Sequence, residues 1–130
     1  DAITLATVVD DQRGDVMQIS YSAEAGHAVL EIQNTDMSVD VSAFSELSFD
    51  IKIINIGSDV GFNYLAKSSA SLQMPVDIAV TDSSLWQTIT VPVTSLSAVD
   101  LADVIAPFII YPDIGKGAGL VYQLDDVRWQ

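Results

Sequence analysis

Paired aspartates near the ends of two predicted strands are the residues of this chain best suited to hold a metal ion. Asp11 follows Asp10 at the end of the first apolar run, and Asp126 follows Asp125 within the last one. Calcium prefers several hard oxygen ligands from carboxylates and carbonyls. Because the first and last strands of a sandwich often lie close together, the two pairs are candidates for one structural calcium site. The alternative is that they are solvated turn residues, since their spacing is not that of an EF-hand.

Aromatic side chains with polar neighbours are the second group that could do chemistry. Sugar rings stack on aromatic faces, and nearby polar side chains bond the sugar hydroxyls. Tyr64 follows Asn63 and precedes Lys67 by three positions, and Tyr111 precedes Asp113 by two. These five residues form the predicted carbohydrate-binding set.

The other large aromatic residues are better explained by packing. Tyr122 and Trp129 are assigned to the core side of the last predicted strand, which argues against contact with a ligand. Trp86 opens a strand out of phase with Ile89 and Val91. Its role is left open between contact with a ligand and support of the fold.

The sequence offers little for catalysis. His27 is the only histidine, and no Gly-x-Ser-x-Gly elbow is present, so a histidine-assisted nucleophile is not expected. Glycoside hydrolysis needs two carboxylates across a cleft, but in a chain with 15 aspartates a suitable pair is expected by chance. The glycine-rich run 115–119 lacks the ending of a phosphate loop and is predicted to be a hairpin turn. No catalytic residue is assigned.

The composition narrows the range of partners. The chain has 130 residues and a formal net charge of −13, with only five basic residues. Such a chain repels phosphate backbones and anionic lipid headgroups, so nucleic acid is not expected as a partner. No apolar run approaches the roughly 18 to 20 residues of a membrane helix, so no membrane span is expected. Without cysteine, neither disulfides nor thiolate metal sites can form.

The elements that must position these residues are β-strands, because the dominant hydrophobic period is two. In the run 47–53, every second residue is apolar. Nine strands are predicted, at 3–9, 16–23, 27–33, 46–56, 61–67, 72–80, 86–93, 105–111 and 119–129. Short strands separated by turn signals predict a single all-β domain over 1–130, an antiparallel β-sandwich. The one helical candidate, 97–104, is too short to change that fold class.

The last predicted strand contains an irregularity. Up to Leu124 the even-numbered residues are apolar, whereas the apolar residues that follow, Val127 and Trp129, are odd-numbered. One extra residue at Asp125-Asp126 would return the apolar residues to one side of the strand. A β-bulge supplies such an extra residue.

Seven segments together resemble one family. In chain order they are 36–38, 47–53, 76–78, 86–93, 100–104, 106–110 and 120–129. Their order and spacing are similar to those of the galactose-binding-like jelly roll at the C-terminus of bacterial glycoside hydrolase family 3 exo-1,3/1,4-β-glucanases. The resemblance covers about three quarters of the chain.

The resemblance implies a non-catalytic accessory module, similar to carbohydrate-binding modules, of a larger multidomain enzyme that is extracellular or periplasmic. It also implies that Trp86 supports the fold. The implied partners are the catalytic domains of the same parent chain and a weakly bound β-glucan. The alternative function is structural docking between those domains with no ligand, and a free-standing enzyme is not expected. An exposed aromatic platform favours binding, whereas a broad apolar flank favours docking.

Overall fold

The alternating sequence pattern forms two antiparallel β-sheets that pack face to face. The computed structural model describes residues 2–23, 30–32, 38–57, 61–68, 75–96 and 99–130. The strands within them are β1 (Ile3–Asp10), β2 (Gly14–Tyr21), β3 (Leu30–Ile32), β4 (Glu46–Asn55), β5 (Phe62–Ser68), β6 (Val76–Ile78), β7 (Gln87–Pro92), β8 (Val104–Pro112) and β9 (Val121–Trp129). The five-stranded sheet has the order β1-β2-β9-β4-β7, and the four-stranded sheet has the order β3-β8-β5-β6. The predicted all-β fold class is confirmed.

The core lies between the two sheets and is built from alternate residues of each strand. On β4, the four odd-numbered residues of 47–53 are all buried. The ring of Phe49 meets that of Phe108 from the opposite sheet edge-to-face, with centroids 5.1 Å apart. The rings of Phe62 and Tyr122 make a similar contact at 5.6 Å. These edge-to-face pairs join the sheets across the core, in the geometry that aromatic rings prefer.

The predicted bulge in β9 is confirmed, but it lies at Asp126-Val127, one residue later than the predicted Asp125-Asp126. Between two regular pairs with β4, Asp126 and Val127 together oppose the single residue Phe49. Asp126 has a φ of 52°, in the left-handed region. The extra residue changes the parity of the strand. As a result, Trp129 packs against the core, although Val127 remains 38% exposed.

The hairpin that joins β1 to β2 ends in a short, well-defined loop. Asp10 pairs with Gly14 across it. The Oδ1 atom of Asp10 accepts hydrogen bonds from the backbone N–H groups of Gln12, at 2.8 Å, and Arg13, at 3.0 Å. Gly14 has a φ of 71°, which glycine adopts without the steric cost of a Cβ atom. The aspartate and the glycine therefore fix the loop that carries Arg13.

Two of the predicted strands are only partly described. In the predicted strand 27–33, all the described residues, 30–32, belong to β3, and the others lie outside the described part of the chain. In the predicted strand 72–80, residues 72–74 lie outside the described part, and β6 ends at Ile78, earlier than predicted. No helix in the described ranges has the length and apolar character needed to cross a membrane.

The predicted helix at 97–104 is wrong over its described part, which consists of turns and bends up to the start of β8. The Oδ1 atom of Asp100 accepts a hydrogen bond of 3.1 Å from the backbone N–H of Ala102. Val104 then forms a bridge with Val39. Aspartate side chains compete with helical hydrogen bonds in this way, so the segment turns instead of forming a helix.

Candidate functional site

The hairpin loop between β1 and β2 contacts the outer face of the five-stranded sheet through Arg13. Its Nη1 atom lies 2.6 Å from Oδ2 of Asp50 on β4 and 3.2 Å from Oδ2 of Asp125 on β9. Asp50 and Asp125 are paired neighbours in the sheet. The hydroxyl of Thr88 on β7 also donates to Asp50, at 2.7 Å. A single guanidinium thus joins the hairpin to two other strands.

Asp50 is buried, and its carboxylate stays ionised because of these partners. Burial alone would raise the pKa of Asp50, but the hydrogen bonds from Arg13 and Thr88 outweigh that effect and hold the pKa below its usual range. The side chain of Asp50 is only 8% exposed, whereas that of Arg13 is 30% exposed. The pair is therefore shielded from solvent mainly on the carboxylate side.

A second ion pair joins the start of the loop to β4. The Nζ atom of Lys52 lies 2.8 Å from Oδ2 of Asp10. The hydrogen bond from Lys52 is the main cause that lowers the pKa of Asp10 to about 2; burial opposes the shift, and the Gln12 N–H adds to it. Because Lys52 and Asp50 are two positions apart on β4, both point to the same outer face.

Trp86 lies beside these cations, immediately before β7. The guanidinium carbon of Arg13 is 4.8 Å from the centroid of the Trp86 ring, and the Nζ atom of Lys52 is 5.9 Å from it. Both distances are within the range of cation–π attraction. The indole N–H of Trp86 also contributes to the lowered pKa of Asp10. Trp86 therefore supports the hairpin through its ring and its N–H group.

A groove of about 280 Å³ lies next to this cluster, and we call it the hairpin groove. Its lining consists of Val9, Asp10, Asp11, Gln12, Lys52, Ser84, Leu85 and Gln123. Val9 and Leu85 are 78% and 70% exposed, whereas Gln123 is only 7% exposed. The Nε2 atom of Gln123 donates to Gln18 at 3.0 Å, but its Oε1 atom has no partner among the described residues. The groove thus combines apolar exposed residues with buried polar ones.

Another cavity, of about 380 Å³, lies where the edge strands β6 and β7 approach each other. Its lining includes apolar residues of both strands, and Asp77 is its only ionisable residue. Its other polar residues carry only hydroxyl groups, and the polar share of its lining is smaller than in the hairpin groove, so this cavity offers less specific recognition.

The four aspartates of the predicted calcium site do not form a metal-binding cluster. Asp10 is paired with Lys52 and Asp125 with Arg13, while Asp126 bonds Arg128 on its own strand at 2.8 Å. Asp11 lines the hairpin groove. Over the described ranges, no three histidine, aspartate or glutamate side chains group closely enough to hold a metal ion. The protein's own cations occupy the place that the prediction gave to calcium.

Tyr64 faces the core, which corrects the expectation that its ring is open to a ligand. On β5 it shares the parity of Phe62, and it is completely buried. Its hydroxyl donates a 2.7 Å hydrogen bond to the carbonyl oxygen of Pro107. Burial raises the pKa of Tyr64. Adjacent residues of a strand point to opposite faces, so Asn63 and Tyr64 cannot both contact one ligand at the sheet surface.

The other predicted carbohydrate-binding residues belong to the outer side of the four-stranded sheet or its end. Asn63 pairs with Tyr111 across β5 and β8, and its amide donates to Oδ1 of Asp113 at 2.9 Å. Burial and the nearby carboxylates of Asp77 and Asp113 raise the pKa of Tyr111.

Lys67 lies further along β5 than this group, with its Nζ atom 3.6 Å from a carboxylate oxygen of Glu31. The structure therefore brings Asn63, Tyr111 and Asp113 together, whereas Lys67 belongs to a different part of the sheet.

Sequence reasoning did not identify the cluster around Arg13. The sequence indicated one part of this cluster, because the alternating pattern in 47–53 predicts that Asp50 and Lys52 lie on the outer face of the sheet. The contribution of the hairpin could not be seen in the same way, since Arg13 and Asp50 are 37 positions apart.

Comparison with solved structures relates this fold to modules of polysaccharide-degrading enzymes. The family 30 carbohydrate-binding module of a cellulosomal cellulase of Clostridium thermocellum aligns with a TM-score of 0.72 at 17% identity, over 100% of this chain and 82% of that one. The family 11 carbohydrate-binding module of the same organism, in complex with a β-1,3-1,4-mixed-linked tetrasaccharide, aligns with a TM-score of 0.63 at 20% identity, over 98% and 81%.

The extra C-terminal domain of the exo-1,3/1,4-β-glucanase ExoP from a Pseudoalteromonas species is also similar, with a TM-score of 0.68 at 14% identity over 100% of this chain and 70% of that one. At these identities the likeness establishes the fold alone. No curated protein matches the sequence.

The family model Exop_C, described as galactose-binding domain-like, matches residues 1–129. This range includes nearly the whole chain and all the strands described above. The match agrees with the family resemblance noted in the sequence and with the two-sheet sandwich. The chain therefore belongs to the Exop_C family of galactose-binding-like domains.

Proposed function

We propose that this chain is a non-catalytic accessory module of a larger exo-1,3/1,4-β-glucanase and that it binds β-glucan weakly in the hairpin groove. The parent would be a bacterial family 3 glycoside hydrolase that is extracellular or periplasmic, with its catalytic residues in other domains. Family membership and the carbohydrate-binding-module-like fold support this role.

The observation that carries the proposal is the lining of the hairpin groove, in which the polar residues Asp11, Gln12 and Lys52 lie beside exposed apolar ones. Carboxylate, amide and ammonium groups can bond the hydroxyls of a sugar. Val9 and Leu85 provide apolar surface for the C–H faces of the same sugar. Their combination with Lys52 and Asp10 matches the amphipathic character of a glucose unit.

The binding is expected to be weak. An open groove removes less of a ligand's surface from water than a closed pocket, while ordering the sugar chain still costs entropy. The aromatic ring nearest to the groove, that of Trp86, already lies near two cations of the protein. It is therefore less available as a stacking platform.

The state of the carboxylates supports a non-catalytic role. A glycosidase needs one carboxyl group with a raised pKa that can act as an acid. At this face the opposite holds, because the pKa values of Asp10 and Asp50 are both lowered by their cationic partners. We therefore propose that the isolated chain does not hydrolyse β-1,3 or β-1,4 glucans.

A second proposed surface for the same ligand consists of Asn63, Tyr111 and Asp113. Lys67 lies farther away along β5. Asn63 is 8% exposed, so it can contribute only at its edge. Tyr111 is the aromatic side chain of this group, and it would supply the stacking contact.

Titration calorimetry with mixed-linked, laminari- and cello-tetraoses tests the proposal. We expect a dissociation constant of roughly millimolar and a loss of about threefold to tenfold in affinity for Leu85→Ala, which removes an apolar contact worth about 1 kcal/mol. The matched control is Val39→Ala, because Val39 is 36% exposed, does not line the hairpin groove and pairs with Val104, at the opposite end of β8 from Tyr111. It should bind like the unchanged protein.

Tyr111→Ala separates the two surfaces. Loss of binding in this variant alone would move the site to the four-stranded sheet. The absence of heat at several millimolar of every oligosaccharide would reject glycan binding and favour structural docking. Hydrolysis by the purified chain, free of contaminating enzymes, would contradict the accessory role itself.

A further inference from the structure

We infer that the free edge of β1 is an interaction surface that pairs with β1 of a second copy of this chain, giving a symmetric dimer. The proposal does not rest on glycan binding, although Val9 lies both on this edge and in the hairpin groove. It follows from a comparison of the edge strands of the two sheets.

Three of the four sheet edges carry features that prevent pairing with another chain. β6 is only three residues long, and the central residue of its range is Asp77. The described part of β3 has Glu31 at its centre. β7 ends at Pro92, which cannot donate a hydrogen bond. Short strands, charged residues and proline are the usual means by which β-proteins protect their edges.

β1 has none of these features along most of its length. It is eight residues long, and it contains neither proline nor a charged residue before Asp10. Leu5 is 54% exposed and Val9 is 78% exposed. A long, apolar, unprotected edge is expected to pair with another strand.

The backbone groups of β1 show which residues are available. The carbonyl oxygen of Ala2 accepts a hydrogen bond of 2.9 Å from the N–H of Ser22, and the register with β2 continues from there without interruption. In an antiparallel pair, alternate residues bond to the neighbouring strand. The N–H and C=O groups of Ile3, Leu5, Thr7 and Val9 therefore point away from β2, and no described strand pairs with them.

A two-fold axis at Ala6 uses all of these groups. Ile3 then faces Val9 of the second copy, and Leu5 faces Thr7 of the second copy, in hydrogen-bonded positions. Four such pairs with two bonds each give about eight hydrogen bonds across the interface. The pairing is self-complementary and closes at two copies, whereas pairing of β1 with another edge would be heterologous and need not close.

Charge also favours β1 of a second copy over an acidic strand as the partner. The strand that pairs with the uncharged edge of β1 must itself lack charge. The two copies still repel each other as whole molecules, so salt should strengthen the dimer by screening. A single pair of strands is a small contact relative to standard interfaces of about 1,600 Å². We therefore expect a reversible dimer with a dissociation constant in the micromolar range or weaker.

Sedimentation equilibrium of the full chain over a range of concentrations and two salt concentrations measures this. The monomer has a mass of 13.9 kDa. The average mass in solution should approach twice that value as the protein and salt concentrations rise. Leu5→Lys should raise the dimer dissociation constant by about tenfold or more, since each dimer then carries two added charges at the paired edges.

Thr7→Pro is the second variant, because it removes an N–H that points away from β2 and leaves the β1–β2 ladder complete. It should weaken the dimer to a similar extent, and circular dichroism should show an unchanged fold. The control is Ile114→Lys, which places the same charge on an exposed apolar residue outside β1. A protein that stays monomeric at millimolar concentration, or a dimer that both β1 variants leave unchanged, would overturn the inference.

Discussion

Removal of Arg13 should leave a buried carboxylate without its main partner, and Arg13→Met is the variant that isolates this effect. Methionine keeps much of the aliphatic length but none of the hydrogen bonds to Asp50 and Asp125. Asp50 would retain the hydroxyl of Thr88 as its only hydrogen-bond donor among the contacts described above. The charge of Asp50 would then be poorly compensated in a site that is 8% exposed.

The free energy of unfolding lost in Arg13→Met lies between two known limits. Exposed ion pairs contribute about 0 to 1 kcal/mol, whereas breaking a fully buried pair costs about 3 to 5 kcal/mol. The Arg13 side chain is 30% exposed, which places this pair between those limits. We expect Arg13→Met to lower the free energy of unfolding by about 2 kcal/mol at neutral pH, including a smaller part from lost contact with Trp86.

The loss should also depend on pH in a defined direction. The pKa of Asp50 in the folded protein lies below its ordinary value of 3.8. The stabilisation that the ionised Asp50 provides is therefore complete above the ordinary pKa value. It is lost as the pH falls through the lowered pKa of the folded protein. The difference between the two proteins should be largest at neutral pH and should shrink on acidification to about pH 3.

Urea denaturation at both pH values measures the difference. Lys116→Met is the matched control, because it removes one positive charge from an exposed turn residue and so changes the net charge equally. It should cost far less at neutral pH. An equal loss in both variants, or a loss for Arg13→Met that does not change with pH, would refute the role assigned to the Asp50 ion pair.

The other predictions concern the core and the metal. Phe49→Ala should cost roughly 3 to 5 kcal/mol, because the ring is completely buried. Its neighbour Ser48 is equally buried, but its hydroxyl has no hydrogen-bond partner among the described residues. Ser48→Ala should therefore be neutral or slightly stabilising in the same denaturation assay. Equal losses of stability in the two variants would reject the strand register. Neither millimolar calcium nor a chelator should change the melting temperature, because Lys52 and Arg13 already neutralise Asp10 and Asp125. A clear rise in melting temperature with calcium would restore the predicted metal site.

The strand pattern was predictable because it depends on neighbouring residues. The alternation in 47–53 fixes the core side of β4, and the change of parity near Asp125 indicates the bulge within one residue. The helix at 97–104 could not be excluded in this way, because the side chain of Asp100 redirects a short segment that has no strong period of its own.

The site was harder to predict, because it depends on contacts between distant parts of the chain. Proximity in sequence grouped Asn63 with Tyr64, but neighbouring positions on a strand face opposite sides. Arg13 lies outside all the predicted strands, although its charge compensates Asp50 on β4. Such a contact depends on how the hairpin bends over the sheet, which a pattern of hydrophobic residues does not encode.

The position of β9 has a consequence for the order in which this protein folds during synthesis. In the five-stranded sheet it lies between β2 and β4, so among the described strands it alone joins the N-terminal hairpin to the β4–β7 pair. Its side chains contact partners as far as 112 positions earlier in the sequence, as Asp125 does with Arg13. Contacts of such separation form slowly, since the loop entropy must be overcome first. A ribosome must therefore release the last strand before the sheet can close, and until then the apolar faces of two incomplete sheet fragments remain open to chaperones.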